Sequence, residues 1–214
     1  MNKSTETMKE RLTLFDTTLR DGAQTQGVDF SLADKLLIAQ RLDALGLDYI
    51  EGGYPGANPV DTALFEAPPR LRAKLTAFGM TKRAGRSVSN DPGFQAVLQA
   101  KADAICLVAK SWDYHVELAL GISREENIEC ISESVAAVCD SGREALIDCE
   151  HFFDGYKANR AYALACAKAA YEAGARWVVL CDTNGGTLPH EVEAIVADVV
   201  RIVPAQRLGI HAHN

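Results

Sequence analysis

Seven short runs rich in β-branched, aromatic and aliphatic residues recur along the chain at intervals of roughly 30 residues, the length of a strand, a helix and their connections. They are LTLF (12–15), YIEG (49–52), KLTAF (74–78), AICLVA (104–109), ALIDCE (145–150), WVVLCD (177–182) and RLGIH (207–211). Helical patterns fill the intervals. Ser31 and Asp34 form a capping box before SLADKLLIAQRLDALG, where Ile38, Leu42 and Leu45 recur at helical spacing and Gly46 is the stop. Ser123 with Glu126 repeats the device before Ile128, Ile131, Val135 and Val138. Asp91 with Pro92 opens a further helix, and Thr187, with Pro189 just inside, opens the one carrying Val192, Ile195 and Val199.

Strands that alternate with helices imply a parallel sheet covered by helices. Two α/β architectures compete. A doubly wound sheet usually carries a glycine-rich turn after its first strand, but here that strand runs into DTTLRDGAQTQG. A (β/α)8 TIM barrel places its chemistry at the C-terminal ends of many strands. Asp16, Glu51, Glu150, Asp182 and His211 each fall at such an end, so the barrel is the expected fold. Seven strands are legible where a closed barrel has eight, so the expectation is a barrel truncated after the seventh strand.

The bulk properties narrow the function. The chain has 214 residues, 48% of them hydrophobic, enough for one well-buried core. The formal net charge is −7 and no basic block stands out, which argues against nucleic acid and anionic membranes as partners. No apolar run approaches the ~20 residues of a membrane span, and MNKSTETMKERL has no apolar core of a secretion signal. Six cysteines occur without a C-x-x-C pair, mostly inside apolar runs, and read as buried free thiols of a reducing, cytoplasmic compartment.

The strand ends carry the candidate chemistry. In FDTTLRDGAQ, Arg20 and Asp21 are either a salt-bridged turn or a pair presented at the barrel mouth, where a carboxylate binds metal and an arginine stabilises an oxyanion. In IEGGYPGANP, Glu51 precedes two glycines that allow a close approach of the backbone or simply shape a turn. In LIDCEHFFDGYK, alternation puts Asp148 and Glu150 on one face and Cys149 on the other, with His151 a weaker candidate. VVLCDTNGGTLP offers Asp182 and Thr183 before a glycine-shaped loop. In GIHAHN, His211 and His213 are two apart on a strand and therefore face one side. Asp21 joined to His211 and His213 makes two imidazoles and one carboxylate, a set suited to a divalent metal: Mg, Mn, Zn or Co. Non-haem iron oxygenases share that ligand count, usually on another fold.

DTTLRDG, IEGGYPGANP, CEHFFDGYK, CDTNGGTLP and GIHAHN occur here in the order found in the isopropylmalate synthase-like metal-dependent acyltransferases and lyases, and the chain from Leu12 to Asn214 resembles that TIM-barrel family. The family includes isopropylmalate, homocitrate and citramalate synthases and hydroxymethylglutaryl-CoA lyase. Ala23, EGGYPGANP, EHFFDGYKAN and KSWDYHVELAL resemble its citramalate branch. That resemblance implies an acyltransferase that condenses acetyl-CoA with pyruvate to citramalate and CoA, a step toward isoleucine. It implies Asp21, His211 and His213 as metal ligands and Arg20 as the group over the ketone oxygen. Glu150 would act in the pocket on substrate or a proton. Thr183 would bond the pyruvate carboxylate, Glu51 would orient Arg20 or a metal-bound water, and Tyr54 with Phe78 and Phe152 would set the pocket size. A homodimer of the full-length protein is implied too.

The chain departs from the family pattern in lacking the eighth strand, a GERCGN-type loop and a C-terminal regulatory domain. The expectation is that residues 1–214 are the N-terminal part of a catalytic domain, inactive alone. The alternatives are an isopropylmalate synthase or another 2-oxo-acid sibling, a lyase running the reverse chemistry, or a non-enzymatic truncated barrel.

Overall fold

The pleat of the seven runs divides their side chains between two environments, and that division builds the protein. In the computed structural model, residues 11–213 are described; Met1–Glu10 and Asn214, the last residue of GIHAHN, lie outside them. The strands are β1 (Phe15–Asp16), β2 (Tyr49–Gly53), β3 (Lys74–Met80), β4 (Ala104–Lys110), β5 (Glu144–Glu150), β6 (Trp177–Asp182) and β7 (Leu208–Ala212). They form one sheet in sequence order, with every neighbouring pair parallel. The helices are α1 (Leu32–Ala44), α2 (Pro59–Glu66), α3 (Pro92–Leu98), the short α4 (Asp113–His115) running into a π-turn, α5 (Arg124–Asp140), α6 (Phe152–Ala158), α7 (Arg160–Glu172) and α8 (Pro189–Val199).

Outward-facing Leu75, Ile105, Leu107, Ile147, Val178 and Leu180 pack with the helices as the main core. Inward-facing Tyr49, Ala104, Cys106 and Leu146, with Phe15 and Trp177, form a second cluster inside the curl of the sheet. Trp177 Nε1 donates to the Tyr49 hydroxyl at 3.1 Å, which in turn donates to Glu144 at 2.6 Å. These bonds cross the interior from β6 to β2 and tie the lower end of the barrel. The sheet is a (β/α) barrel of seven strands, and the outer edges of β1 and β7 have no strand partner among the described residues.

Local sequence explains most boundaries. Ser31 accepts from the Asp34 N–H at 3.2 Å while Asp34 accepts from the Ser31 N–H at 3.0 Å, the full capping box of α1. Asp91 caps α3 through the N–H groups of Gly93 and Phe94. Ser123 caps α5 by accepting from the Glu126 N–H, but only this half of the expected box forms among the described residues. Two expectations need correction. The strand read at 12–15 is confined to Phe15–Asp16, because the Asp48 carboxylate captures the Leu14 N–H at 2.9 Å and Leu12 and Leu14 stay exposed. Thr187 is not the cap of α8: its hydroxyl and N–H bond the Asp182 carboxylate, both at 3.0 Å, and the helix opens after Leu188, whose N–H donates to Glu191.

Candidate functional site

Asp21 follows β1 and His211 and His213 lie at the end of β7, so a contact between them requires the sheet to curl through all seven strands. It does. His211 Nε2 and His213 Nε2 lie 3.7 and 3.5 Å from the same Asp21 oxygen, Oδ2. The three donor atoms fall within 4.8 Å of one another, the size of a metal's coordination sphere. His213 Nδ1 lies 3.0 Å from the Thr183 carbonyl oxygen. A ring nitrogen can meet a carbonyl only as a donor, so this bond puts the proton on Nδ1 and leaves the Nε2 lone pair toward Asp21. The donor set therefore fits a divalent metal in number and chemistry, and His213 also in tautomer. The three residues wall an open cleft of about 590 Å³ together with Thr17, Thr18 and Gln24, polar groups that sequence reasoning passed over.

Arg20 is fixed from three sides. Its Nε donates to Glu51 Oε2 at 2.7 Å, its Nη1 donates to Asp21 Oδ1 at 3.3 Å, and its guanidinium lies 3.9 Å over the Phe78 ring. Burial opposes its charge, but the Glu51 and Asp21 carboxylates outweigh that and hold its pKa above the ordinary arginine value. Glu51 is fully buried; burial pushes its pKa up to about 8, Arg20 pulls against this, and nearby Asp148 adds to the rise. Glu51 Oε1 has no hydrogen-bond partner among the described residues.

The loop carrying Arg20 and Asp21 is anchored by a residue the sequence pattern hid. Lys35, on the inner face of α1, is buried, and its ammonium donates to the carbonyls of Leu19 at 2.7 Å and Gly52 at 2.9 Å and pairs with Asp61. Asp61 also accepts from the Tyr54 N–H at 2.8 Å. The glycines after Glu51 serve this network: a Cβ on Gly53 would overlap the Asp61 carboxylate, and one on Gly52 would lie 2.9 Å from Leu64. Their close approach is thus to α2.

Other candidates take different places. Glu150 ends β5 and pairs with Lys110, its partner in the parallel register of β4 and β5. Thr183 Oγ1 accepts from the His151 N–H at 2.9 Å, which leaves its own proton to donate. Neither lines the cleft. Tyr54 is set edge-on behind Phe78, at 5.6 Å between centroids, and packs against the outer core instead of the cleft. The expectation for Phe152 is corrected: it is fully buried among the helices outside the barrel, because it is the first residue of α6 and not part of a strand. His151 adopts a left-handed conformation (φ 54°) at the start of α6 and contacts the His115 ring edge-on at 4.5 Å. Asp182 is buried in its bonds to Thr187, a structural role.

The HMGL-like family model matches residues 11–214. The (R)-citramalate synthase of Aquifex aeolicus is 49% identical over 210 residues, covering 97% of this chain and 40% of that protein. The probable 2-isopropylmalate synthase of Methanopyrus kandleri is 35% identical over 207 residues, covering 97% of this chain and 40% of its own length. The chain thus spans about 40% of the length of these curated relatives. Among solved structures, the HMG-CoA lyase of Bacillus subtilis superposes with a TM-score of 0.79 at 18% identity over 96% of this chain and 70% of that one, a likeness of fold. No helix among the described residues is long and apolar enough to cross a membrane. A barrel of parallel strands, a carboxylate and two histidines brought together at its mouth, and a family match over nearly the whole length lead to one conclusion: the chain belongs to the HMGL-like family.

Proposed function

We propose that this chain carries the catalytic barrel of an (R)-citramalate synthase, which condenses acetyl-CoA with pyruvate to give citramalate and CoA. The observation that carries the reading is the Arg20–Asp21 pair facing His211 and His213, with Arg20 held at Glu51. The greater similarity to a citramalate synthase than to a 2-isopropylmalate synthase supports pyruvate as the 2-oxo acid.

Asp21, His211 and His213 would hold a divalent ion: Mg, Mn, Zn or Co all suit imidazole and carboxylate donors. When bound, such an ion supplies Lewis-acid polarisation of the ketone. The residues do the rest. Arg20 is a donor already in place for negative charge growing on the ketone oxygen, and Glu51 and the Phe78 ring prevent it from swinging away. The free proton of the Thr183 hydroxyl is offered to the substrate carboxylate. Glu150, beside Lys110, holds substrate or relays a proton at the rim. Tyr54 is carried in this reading as the backing of Phe78, which limits the space for the 2-oxo acid's side chain. A homodimer in a reducing cytoplasm completes the proposal, and the six thiols, all unpaired, support that compartment.

The test is CoA-thiol release by the full-length protein from acetyl-CoA and pyruvate with added divalent metal. Release is expected with pyruvate and lost on chelation. Equal release with 2-oxoisovalerate would move the assignment to the isopropylmalate branch, and cleavage of HMG-CoA would move it to the lyases. Sedimentation of the same preparation tests the dimer.

A further inference from the structure

Below the mouth of the barrel lies a second group of ligand-type side chains, two of which the proposed reaction does not use. Asp148 on β5, Cys181 on β6 and His211 on β7 are inward-facing residues of three successive strands. One ligand atom from each lies within 4.8 Å of the others. The register explains the meeting: Cys181 is the direct partner of His211 across β6 and β7, and Asp148 pairs with Val179, one inward position below Cys181. Asp148 is 7% exposed and Cys181 6%, whereas the Asp21 and His213 side chains are 29% and 41% exposed, so this group is the deeper of the two.

The buried carboxylate is undercompensated. Asp148 forms no salt bridge within 4.0 Å among the described residues, and the charged groups that face it are His211 and Arg20. The Arg20 guanidinium is committed to Glu51 and Asp21. A buried carboxylate without a direct ion pair is costly, and a cation bound beside it removes the cost. Cys181 is not committed elsewhere: the one hydrogen bond of its thiol among the described residues is a weak 3.9 Å approach to the Val179 carbonyl. Thiolate donors select soft and borderline ions, and an Asp–Cys–His set differs in this respect from the oxygen and imidazole set above it.

We propose that Asp148, Cys181 and His211 form a second cation position, specific for thiophilic divalent ions such as Zn²⁺ or Cd²⁺. Binding there displaces the Cys181 thiol proton to solvent and forms a metal–sulfur bond. The two positions share His211, and a neutral imidazole has one lone pair to give. Occupation of the lower position therefore withdraws His211 from Asp21 and His213, so the two ions compete even though their remaining ligands differ. The inference concerns ligation and stands whatever the 2-oxo acid is.

The experiment uses the purified full-length chain, stripped of metal and titrated with Cd²⁺. A thiolate-to-cadmium charge-transfer absorption is expected in the ultraviolet, with a ¹¹³Cd resonance shifted to the region of sulfur ligation. Cys181→Ser should abolish both signals, and the surface-side control Cys139→Ser should keep them. His213→Ala should also keep them, since His213 belongs only to the upper set. Signals that persist in Cys181→Ser, or that vanish in His213→Ala, overturn the proposal. If Cys181→Ser does not fold, Cys181→Ala and the wild-type ¹¹³Cd resonance decide: a shift typical of nitrogen and oxygen ligands alone also overturns it. Loss of Mn²⁺ binding in His213→Ala is a separate readout, which tests the upper centre and not the lower one.

Discussion

Arg20 Nε sits 2.7 Å from Glu51 Oε2, a contact between the loop after β1 and an inward residue of β2, and that bond sets the aim of the guanidinium. Lysine keeps the charge of arginine but loses the planar fork that reaches Glu51 and Asp21 together. In the full-length protein, Arg20→Lys is expected to lower kcat by about 10²–10³-fold, the usual cost of removing one preorganised oxyanion donor. Glu51→Gln should lower kcat by a smaller factor at nearly unchanged KM, because it loosens Arg20 without removing it. Steady-state kinetics with a thermal melt of each variant check this. Wild-type turnover in Arg20→Lys would remove the role assigned to it.

His213→Ala is expected to strip the metal centre. The variant loses an Nε2 donor whose orientation is set by the Nδ1 bond to the Thr183 carbonyl. The loss of affinity should exceed the roughly 10–100-fold that follows removal of an outer partner of a ligand. Elemental analysis after dialysis gives the answer, and unchanged metal content would refute the ligand role.

The Lys35–Asp61 pair is buried, and the carbonyls of Leu19 and Gly52 take the remaining ammonium protons. Lys35→Met leaves the Asp61 charge uncompensated and is expected to cost about 3–5 kcal/mol. Lys35→Met with Asp61→Asn removes both charges and should recover part of that loss. Urea unfolding of the two variants measures the difference. A double variant less stable than Lys35→Met would contradict the charge argument.

Asp91 caps α3 and also accepts from the Arg83 N–H at 2.7 Å. Burial raises its pKa, but the three backbone N–H groups outweigh this and hold it below the ordinary carboxylate value. A carboxylate depressed in the folded state binds protons more readily when unfolded. Its stabilisation is therefore full above the unfolded value, about 3.9, and is lost as pH falls through the folded one. Asp91→Ala should cost ~1 kcal/mol at pH 7, up to about 2, and the gap to wild type should close on acidification. Urea melts of both proteins at pH 7 and below pH 4 test it; a gap that widens with acid would reverse the sign.

The strands and caps were legible because their signals are local. WVVLCD is β6 to the residue, and the box at Ser31 and the cap at Asp91 need only the neighbouring turn. The shared facing of His211 and His213 was legible for the same reason, since a strand repeats every two residues. The misplaced features depended on distant partners. Thr187 looked like a cap until Asp182 took its hydroxyl, and Phe152 looked like a pocket wall until the chain turned into α6 one residue earlier. Lys35 carries no local signal of its role, since nothing in its own turn announces Asp61.

By itself the sequence determined the order of strands and helices, the inward or outward face of each strand residue, and the presence of acids, an arginine and two histidines at the strand ends. These follow from backbone periodicity and short-range hydrogen bonding, which act within a few residues. Only the tertiary structure decided which of them meet. Asp21 reaches His211 and His213 because six parallel registers curl the sheet until β7 returns beside the loop after β1. The same registers place Asp148 and Cys181 under His211, and Glu51 under Arg20. Burial and charge compensation depend on those long-range meetings, and no stretch of the chain short enough to read alone contains them.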